Sequence, residues 1–155
     1  MHRNVQRVAN ALRAADAHGQ IRELGQSART AEDAARQLGC AVGAIANSLV
    51  FDADGQPLLI LTSGGHRVDL ARVAAGFGVA RLRRADPDFV REHTGFPIGG
   101  VAPVGHPTRL RTLVDVALQG YEQIWAAAGH PHAVFPTTFA ELVRITAGTP
   151  AAVGD

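Results

Sequence analysis

The stretch from Ile45 to Thr62 constrains the fold more than any other part of the chain. Ile45–Phe51 is an apolar, partly β-branched run, and Leu58–Thr62 is a continuous apolar one. Between them lies Asp52-Ala53-Asp54-Gly55, built of residues that tolerate φ above zero. Two strand-length runs joined by so short a polar turn predict a β-hairpin.

The flanking sequence predicts helices around that hairpin. Val5, Val8, Ala9 and Leu12 recur at helical spacing within residues 3–17, and His18-Gly19 ends the pattern. Ile21–Leu24 reads as a short strand. Thr30, with Asp33 three residues on, marks the N-cap of a helix that stops at Gly39. Ser63-Gly64-Gly65 turns into a helix over 68–77, and Val79–Leu82 reads as a strand. Asp86-Pro87 opens a helix that ends near Thr94-Gly95. Leu110–Val116, Gln123–Ala127 and Ala133–Phe135 read as strands, the last two split by Gly129-His130-Pro131. Thr138–Thr146 is a closing helix, and residues 148–155 offer a last strand. Helices and strands are mixed but not strictly alternating. The expected class is therefore α/β with α+β character, a curved mixed sheet flanked by helices.

With 155 residues, 46% of them hydrophobic, the chain is the size of one domain spanning 1–155. It should bury roughly two thirds of its unfolded surface. A single cysteine, Cys40, excludes a disulfide framework. Following Gly39 at a helix end, it reads as a small buried thiol rather than a nucleophile. Residues 1–15 lack the apolar run of a leader, and nothing approaches the roughly 18 apolar residues of a membrane span. The cytoplasm is the expected compartment and no membrane partner is expected. Net charge is +1, so the global field makes no case for nucleic acid. All 15 basic residues are Arg.

The segment from Gly95 to Pro107 is the most informative for chemistry. It carries Gly95, Gly99, Gly100 and Gly105 together with Pro97, Pro103 and Pro107. Glycine lets backbone approach a ligand and proline stiffens the loop. Rigid backbone with free N–H groups suits a carbonyl, a phosphate or an oxyanion. The plainer reading is an irregular loop that caps the sheet. Neither a dinucleotide fingerprint nor a Walker loop is present, the latter because it needs Lys. His130 and His132, two apart on a turn with no nearby Cys or carboxylate, do not make a metal site. His66, beside Arg67 and Asp69, reads as part of a solvated turn rather than a ligand contact. Ser48, His106 and Asp115 could be assembled into a triad only without the Gly-x-Ser-x-Gly elbow that supports one. Asp115, at the end of an apolar strand, is either a binding group or the partner of a backbone turn.

An ordered series of segments over roughly residues 5–150 resembles the YbaK/prolyl-tRNA-editing family. The series includes Thr30-Ala-Glu-Asp-Ala-Ala35, Gly43-Ala-Ile-Ala-Asn-Ser-Leu-Val-Phe51, Leu61-Thr-Ser-Gly64 and Arg67-Val-Asp-Leu70. It continues with Arg84-Ala-Asp-Pro87, Thr94-Gly-Phe-Pro-Ile-Gly-Gly-Val-Ala-Pro103, Leu113-Val-Asp115, Trp125-Ala-Ala-Ala-Gly129 and Leu142–Gly148. The resemblance implies a mixed sheet, partly closed like a barrel. It implies an aminoacyl-tRNA deacylase that hydrolyses the ester of a mischarged amino acid at the 3′ end of tRNA, most often tRNA for proline. The family pocket lies between a Lys-bearing strand and a Gly-x-x-x-Pro loop, here Gly99–Pro103, with Gly105 after it. Carried over, Asn47, Gly99, Gly100 and Val101 take the catalytic positions. Ser48, Ser63, Gly64, Pro103, Gly105, His106, Asp115 and His130 take substrate-binding ones. A water or the vicinal ribose hydroxyl attacks, backbone N–H groups steady the oxyanion, and neither metal nor cofactor takes part.

Two positions depart from the family pattern. Asn47 stands where Lys is usual, and Val104 where Phe is common. Asn can hydrogen-bond but cannot neutralise a phosphate. An Arg, for example Arg67, could reach the site in its place. Arg81, Arg83 and Arg84, and Arg109 with Arg111, are the candidate basic patches for tRNA. The alternative is a binding module that keeps the pocket without the chemistry.

Overall fold

In the computed structural model, which describes residues 2–28 and 30–154, the expected hairpin lies in the middle of an eight-stranded sheet. The strands are β1 (Arg22–Glu23), β2 (Ile45–Ala53), β3 (Gln56–Ser63), β4 (Leu82–Arg84), β5 (Arg111–Asp115), β6 (Ile124–His130), β7 (Ala133–Thr137) and β8 (Thr149–Ala151). The helices are α1 (Arg3–Ala14), α2 (Ala31–Leu38), α3 (Leu70–Phe77), α4 (Pro87–Thr94) and α5 (Phe139–Thr146). Strand order is β1-β7-β6-β2-β3-β5-β8, with β4 also pairing β2. β2/β3, β6/β7, β1/β7 and β2/β4 are antiparallel; β2/β6, β3/β5 and β5/β8 are parallel. The sheet is mixed and open, since β1 and β8 end it without pairing to each other.

Local chemistry accounts for most element ends. In the β2–β3 hairpin Ala53 pairs with Gln56, and both intervening residues have positive φ, 53° at Asp54 and 91° at Gly55. That is the two-residue turn whose twist matches antiparallel strands. Thr30, Asp69, Asp86 and Thr138 each accept a hydrogen bond from a first-turn amide of the helix that follows. Such caps contribute about 1 kcal/mol each. Because Asp69 caps α3, that helix begins at Leu70 rather than at 68. α1 ends at Ala14, short of the expected residue 17, because Asp16 takes φ 57°.

Two strands differ from expectation. Val79–Leu82 is not a strand. The amides of Ala80 and Arg81 are held by the Asp54 carboxylate at 3.0 and 2.8 Å, which postpones pairing to Leu82–Arg84. The strand expected to end at Ala127 runs on through Gly129 and His130, with an irregularity in its register there, and the turn falls at Pro131–His132.

β3 is buried on both sides. Leu59 and Leu61 join the larger core with Val8, Phe96, Val114, Leu118, Phe135 and Leu142. Leu58 and Ile60 face the other way, onto Phe51, Val73 and Leu113. Burial on both faces is why its apolar run is unbroken. Ile45 packs with Ala34 and Ala35 of α2 in a third cluster.

Candidate functional site

β2 changes partners along one edge. Opposite β3, its residues Ile45 and Ala46 pair with β6 and its residues Phe51–Ala53 pair with β4. Residues 47–50 lie between the two. The Val50 carbonyl accepts from the Ala85 amide across that edge at 3.2 Å. Main-chain groups alternate between edges of a strand, so those of Ser48 point into the same opening. The loop between α4 and β5 closes it from the far side.

This loop enters as a turn in which the Gly100 amide donates to the Pro97 carbonyl at 3.0 Å. Gly99, with φ 91°, fills the third position, where a type II turn needs φ above zero. The Gly100 N–H is therefore not free, contrary to the expectation for this loop. Among the described residues the amides of Gly99 and Val101 donate to no protein group. A Cβ on Gly100 would come within 3.2 Å of the main chain of His130, so the loop lies directly against the end of β6.

Asn47, Ser48 and Gly99 line two adjoining cavities. One, of about 70 Å³, is completed by Ala31, Ala34, Trp125 and His130. The other, of about 120 Å³, is completed by Arg84, Ile98 and Val101. The Ser48 hydroxyl oxygen is buried and has no hydrogen-bond partner. Asn47 and Gly99 are exposed at the mouth, and Ile98 stands 52% exposed beside them.

The other expected site residues lie elsewhere. Asp115, 1% exposed, accepts from the amide of Ser63 at 2.9 Å, the hydroxyl of Thr62 at 3.3 Å and the amide of Ala117 at 2.9 Å, and it pairs with the His66 imidazole. Of its two alternatives, the geometry makes it the partner of backbone turns. His66, expected in a solvated turn, is instead half-buried and fixed by that carboxylate. Ser63 donates to the Gly43 carbonyl at 2.7 Å. Gly64 has no room for a Cβ, which would meet the Val42 carbonyl at 2.6 Å. Ser63, Gly64 and Asp115 thus brace the end of β3. Pro103, Gly105 and His106 line a separate cavity of about 410 Å³ against Ala11 and Arg109. His106 Nε2 donates to the Ala102 carbonyl at 2.7 Å. With His106 so engaged and Asp115 given to His66, no triad with Ser48 forms.

Burial pushes the His106 pKa down, helped by nearby Arg7 and opposed by the Ala102 hydrogen bond. Burial also lowers that of His130, as do the neighbouring rings of His2 and His132, with Glu23 opposing. The His130 ring lies 4.7 Å from that of His2 and 5.1 Å from that of His132. Among the described residues no group of three or more His, Cys, Asp or Glu is arranged to hold a metal. Among the described residues no helix is long and apolar enough to cross a membrane. The expected basic patches divide: Arg83 pairs with Asp52, Arg84 lies over the Phe51 ring, and Arg111 lies over Phe77. Sequence reasoning missed Trp125, Ala34 and Ile98 as cavity walls. Only Ile98, apolar within a Gly/Pro loop, carried any local signal.

Comparison with known proteins places these features in company. Residues 26–145 match the family described as the aminoacyl-tRNA editing domain. The uncharacterized protein YwhH of Bacillus subtilis is 32% identical over 123 residues, covering 79% of this chain and 78% of that protein. A proline–tRNA ligase of Citrifermentans bemidjiense is 32% identical over 92 residues; the match covers 59% of this chain but only 16% of the ligase. A solved structure provisionally described as a trans-editing enzyme for prolyl tRNA synthetase superposes with a TM-score of 0.94 at 42% identity, over 100% of this chain and 99% of that one. A hypothetical protein of known structure gives 0.88 at 26% identity, over 96% and 99%.

Proposed function

Because the chain belongs to the aminoacyl-tRNA editing domain family, we propose that it is a free-standing deacylase, acting in the cytoplasm on tRNA that carries a small non-cognate amino acid, tRNA for proline foremost. The observation that carries this reading is the sharing of both small cavities by Asn47, Ser48 and Gly99. The side chain of the amino acid enters the cavity walled by Ala31, Ala34 and Trp125. Its volume of about 70 Å³ suits only a few heavy atoms. The ester carbonyl then lies at the open edge of β2. The unengaged amides of Gly99 and Val101 donate to the oxyanion as it forms, where rigid, partly dehydrated donors are most effective. A water attacks the carbonyl carbon, the neighbouring ribose hydroxyl relaying the proton it gives up. The C–O bond to the ribose breaks, and the ribose oxygen takes up a proton. Asn47 and the unpartnered Ser48 hydroxyl orient the ester by hydrogen bonds, and His130, whose pKa its surroundings lower, closes the wall.

The test is ester loss from tRNA charged in turn with Ala, Cys, Ser, Thr and Pro. Acceleration confined to the smaller amino acids is expected; no acceleration on any, at high protein concentration, overturns the reading. Asn47 motivates a second reading, a module that binds charged tRNA without cleaving it, since an amide replaces the customary ammonium. Asn47→Lys separates the two. Activity appearing only in the variant favours binding alone; a wild type already active and little changed by the substitution removes it.

A further inference from the structure

β2 presents a different surface on the face that carries Asn47, Leu49 and Phe51. Side chains alternate along a strand, so these three share a face while Ser48 and Val50 take the other. A cavity of about 470 Å³ lies over them, bounded also by Thr62, His66, Arg67, Leu70 and Arg84. Arg84 is the cross-strand partner of Phe51 and so stands on this face, its guanidinium 5.8 Å from the ring centroid. Arg83, one residue earlier, falls on the opposite face and is engaged by Asp52 at 3.2 Å. At the other end of the row Asn47 pairs with Thr62, and the turn after β3 brings Arg67 and His66 to the wall.

Among the described residues no Asp or Glu lines this cavity. Among the described residues neither Arg67 nor Arg84 has a carboxylate partner, and both are exposed. Two unneutralised guanidiniums facing one concavity create a local positive potential on a chain whose net charge is +1. Their planar donor forks match phosphate oxygens. Asn47 and Phe51 are separated by about 13 Å along the strand, so the two arginines take separate groups.

We infer that this cavity is a phosphodiester site, in which Arg67 and Arg84 hold two backbone phosphates of the RNA strand that ends at Asn47. The identity of that strand rests on the editing reading; the charge at the site does not. In this chain the positive charge is supplied from the rim, by the turn after β3 and by β4, and the residue between stays neutral.

The experiment measures binding of uncharged, fluorescently labelled tRNA to the full chain across about 50 to 200 mM salt. Arg67→Gln and Arg84→Gln are each expected to weaken binding roughly three- to tenfold. Each should also flatten the plot of log Kd against log salt by about 0.7, and the double variant by about twice that. Arg→Lys at either position should keep most of the slope, and Arg83→Gln should leave affinity and slope as in the wild type. Equal slopes in all variants, or an Arg83→Gln loss as large as the others, overturn the proposal. Inorganic phosphate serves as a competitor: displacement of tRNA at micromolar phosphate, lost in the arginine variants, would mark a small-anion site and also overturn it. Ester hydrolysis is followed in parallel. Altered slopes without any ester loss keep this site and remove the deacylase. Ester loss with unaltered slopes does the reverse.

Discussion

The two halves of the loop between α4 and β5 look alike in sequence and do opposite things. In the first half, Gly99 is exposed with open space around its Cβ position, and the amides of Gly99 and Val101 are unengaged. In the second, Pro103 and Val104 are buried. His106 is tied back to Ala102, its ring edge-on to Phe96 at 6.0 Å. Phe96 in turn lies under the Arg7 guanidinium of α1 at 4.2 Å. Among the described residues the amides of Val104, Gly105 and His106 also donate to no protein group; what fastens the second half to the core is its buried side chains and the Ala102 carbonyl that holds His106. Glycine and proline serve both purposes, so composition cannot tell a ligand-facing turn from a packed one. What separates them is which neighbour each half meets: an open strand edge, or α1.

That contrast can be broken most severely at Gly100. In Gly100→Val the new side chain meets the main chain of Gly129 and His130, which must move to admit it. Displacing the Gly99 and Val101 amides by an ångström or so should lower deacylation about 100-fold, with a smaller loss in thermal midpoint. A variant as active as wild type would mean that this half of the loop is not the oxyanion site. Gly105→Ala probes the other half. Its Cβ would make only ordinary contacts, but φ is 88°. The expected cost is about 1–2 kcal/mol of stability from left-handed strain, read by denaturant titration, with kcat/KM on the favoured tRNA kept. A selective loss of kcat there would erase the distinction between the halves.

His106 sharpens the comparison through pH. Its folded pKa lies below the unfolded value, so the unfolded chain binds the proton more readily. Its contribution is complete above an unfolded pKa of about 6.5 and is lost as pH falls from there through the folded value. His106→Gln should flatten the stability-versus-pH curve below about 6.5, as measured by urea midpoints between weakly acidic and neutral pH. An unchanged curve would place that titration elsewhere. The smallest effect is expected at Ser48. Ser48→Ala removes a buried hydroxyl that has no partner. Stability should change by less than about 1 kcal/mol, in the favourable direction if at all. A fall in kcat with KM preserved would identify that hydroxyl as a transition-state contact, and no kinetic change would remove it from the site.

Much of the fold was legible because it depends on neighbours in sequence. Asp54-Gly55 sets the hairpin, and Thr30 and Asp86 cap the helices they precede. The displaced strand β4 shows where this stops. Nothing within 79–82 reveals that the Asp54 carboxylate, more than twenty residues earlier, holds two of its amides. The candidate site was legible in part for the same reason. The run Asn47-Ser48 and the Gly99 loop could be matched to a family pattern one residue at a time. The division of that loop at Ala102, and the separation of Ser63, Gly64 and Asp115 from it, could not.

By itself, then, the sequence determined the local conformers, the alternation of apolar residues and the resemblance to editing domains. These follow from backbone preferences and side-chain chemistry within a few residues. Only the tertiary structure decided that β2 has an open edge, that Arg84 and Arg67 flank Asn47 on one face, and that Asp115 is consumed by turns. Each of those outcomes depends on which distant segment covers a given edge or face, and that choice is made by burial of the whole core.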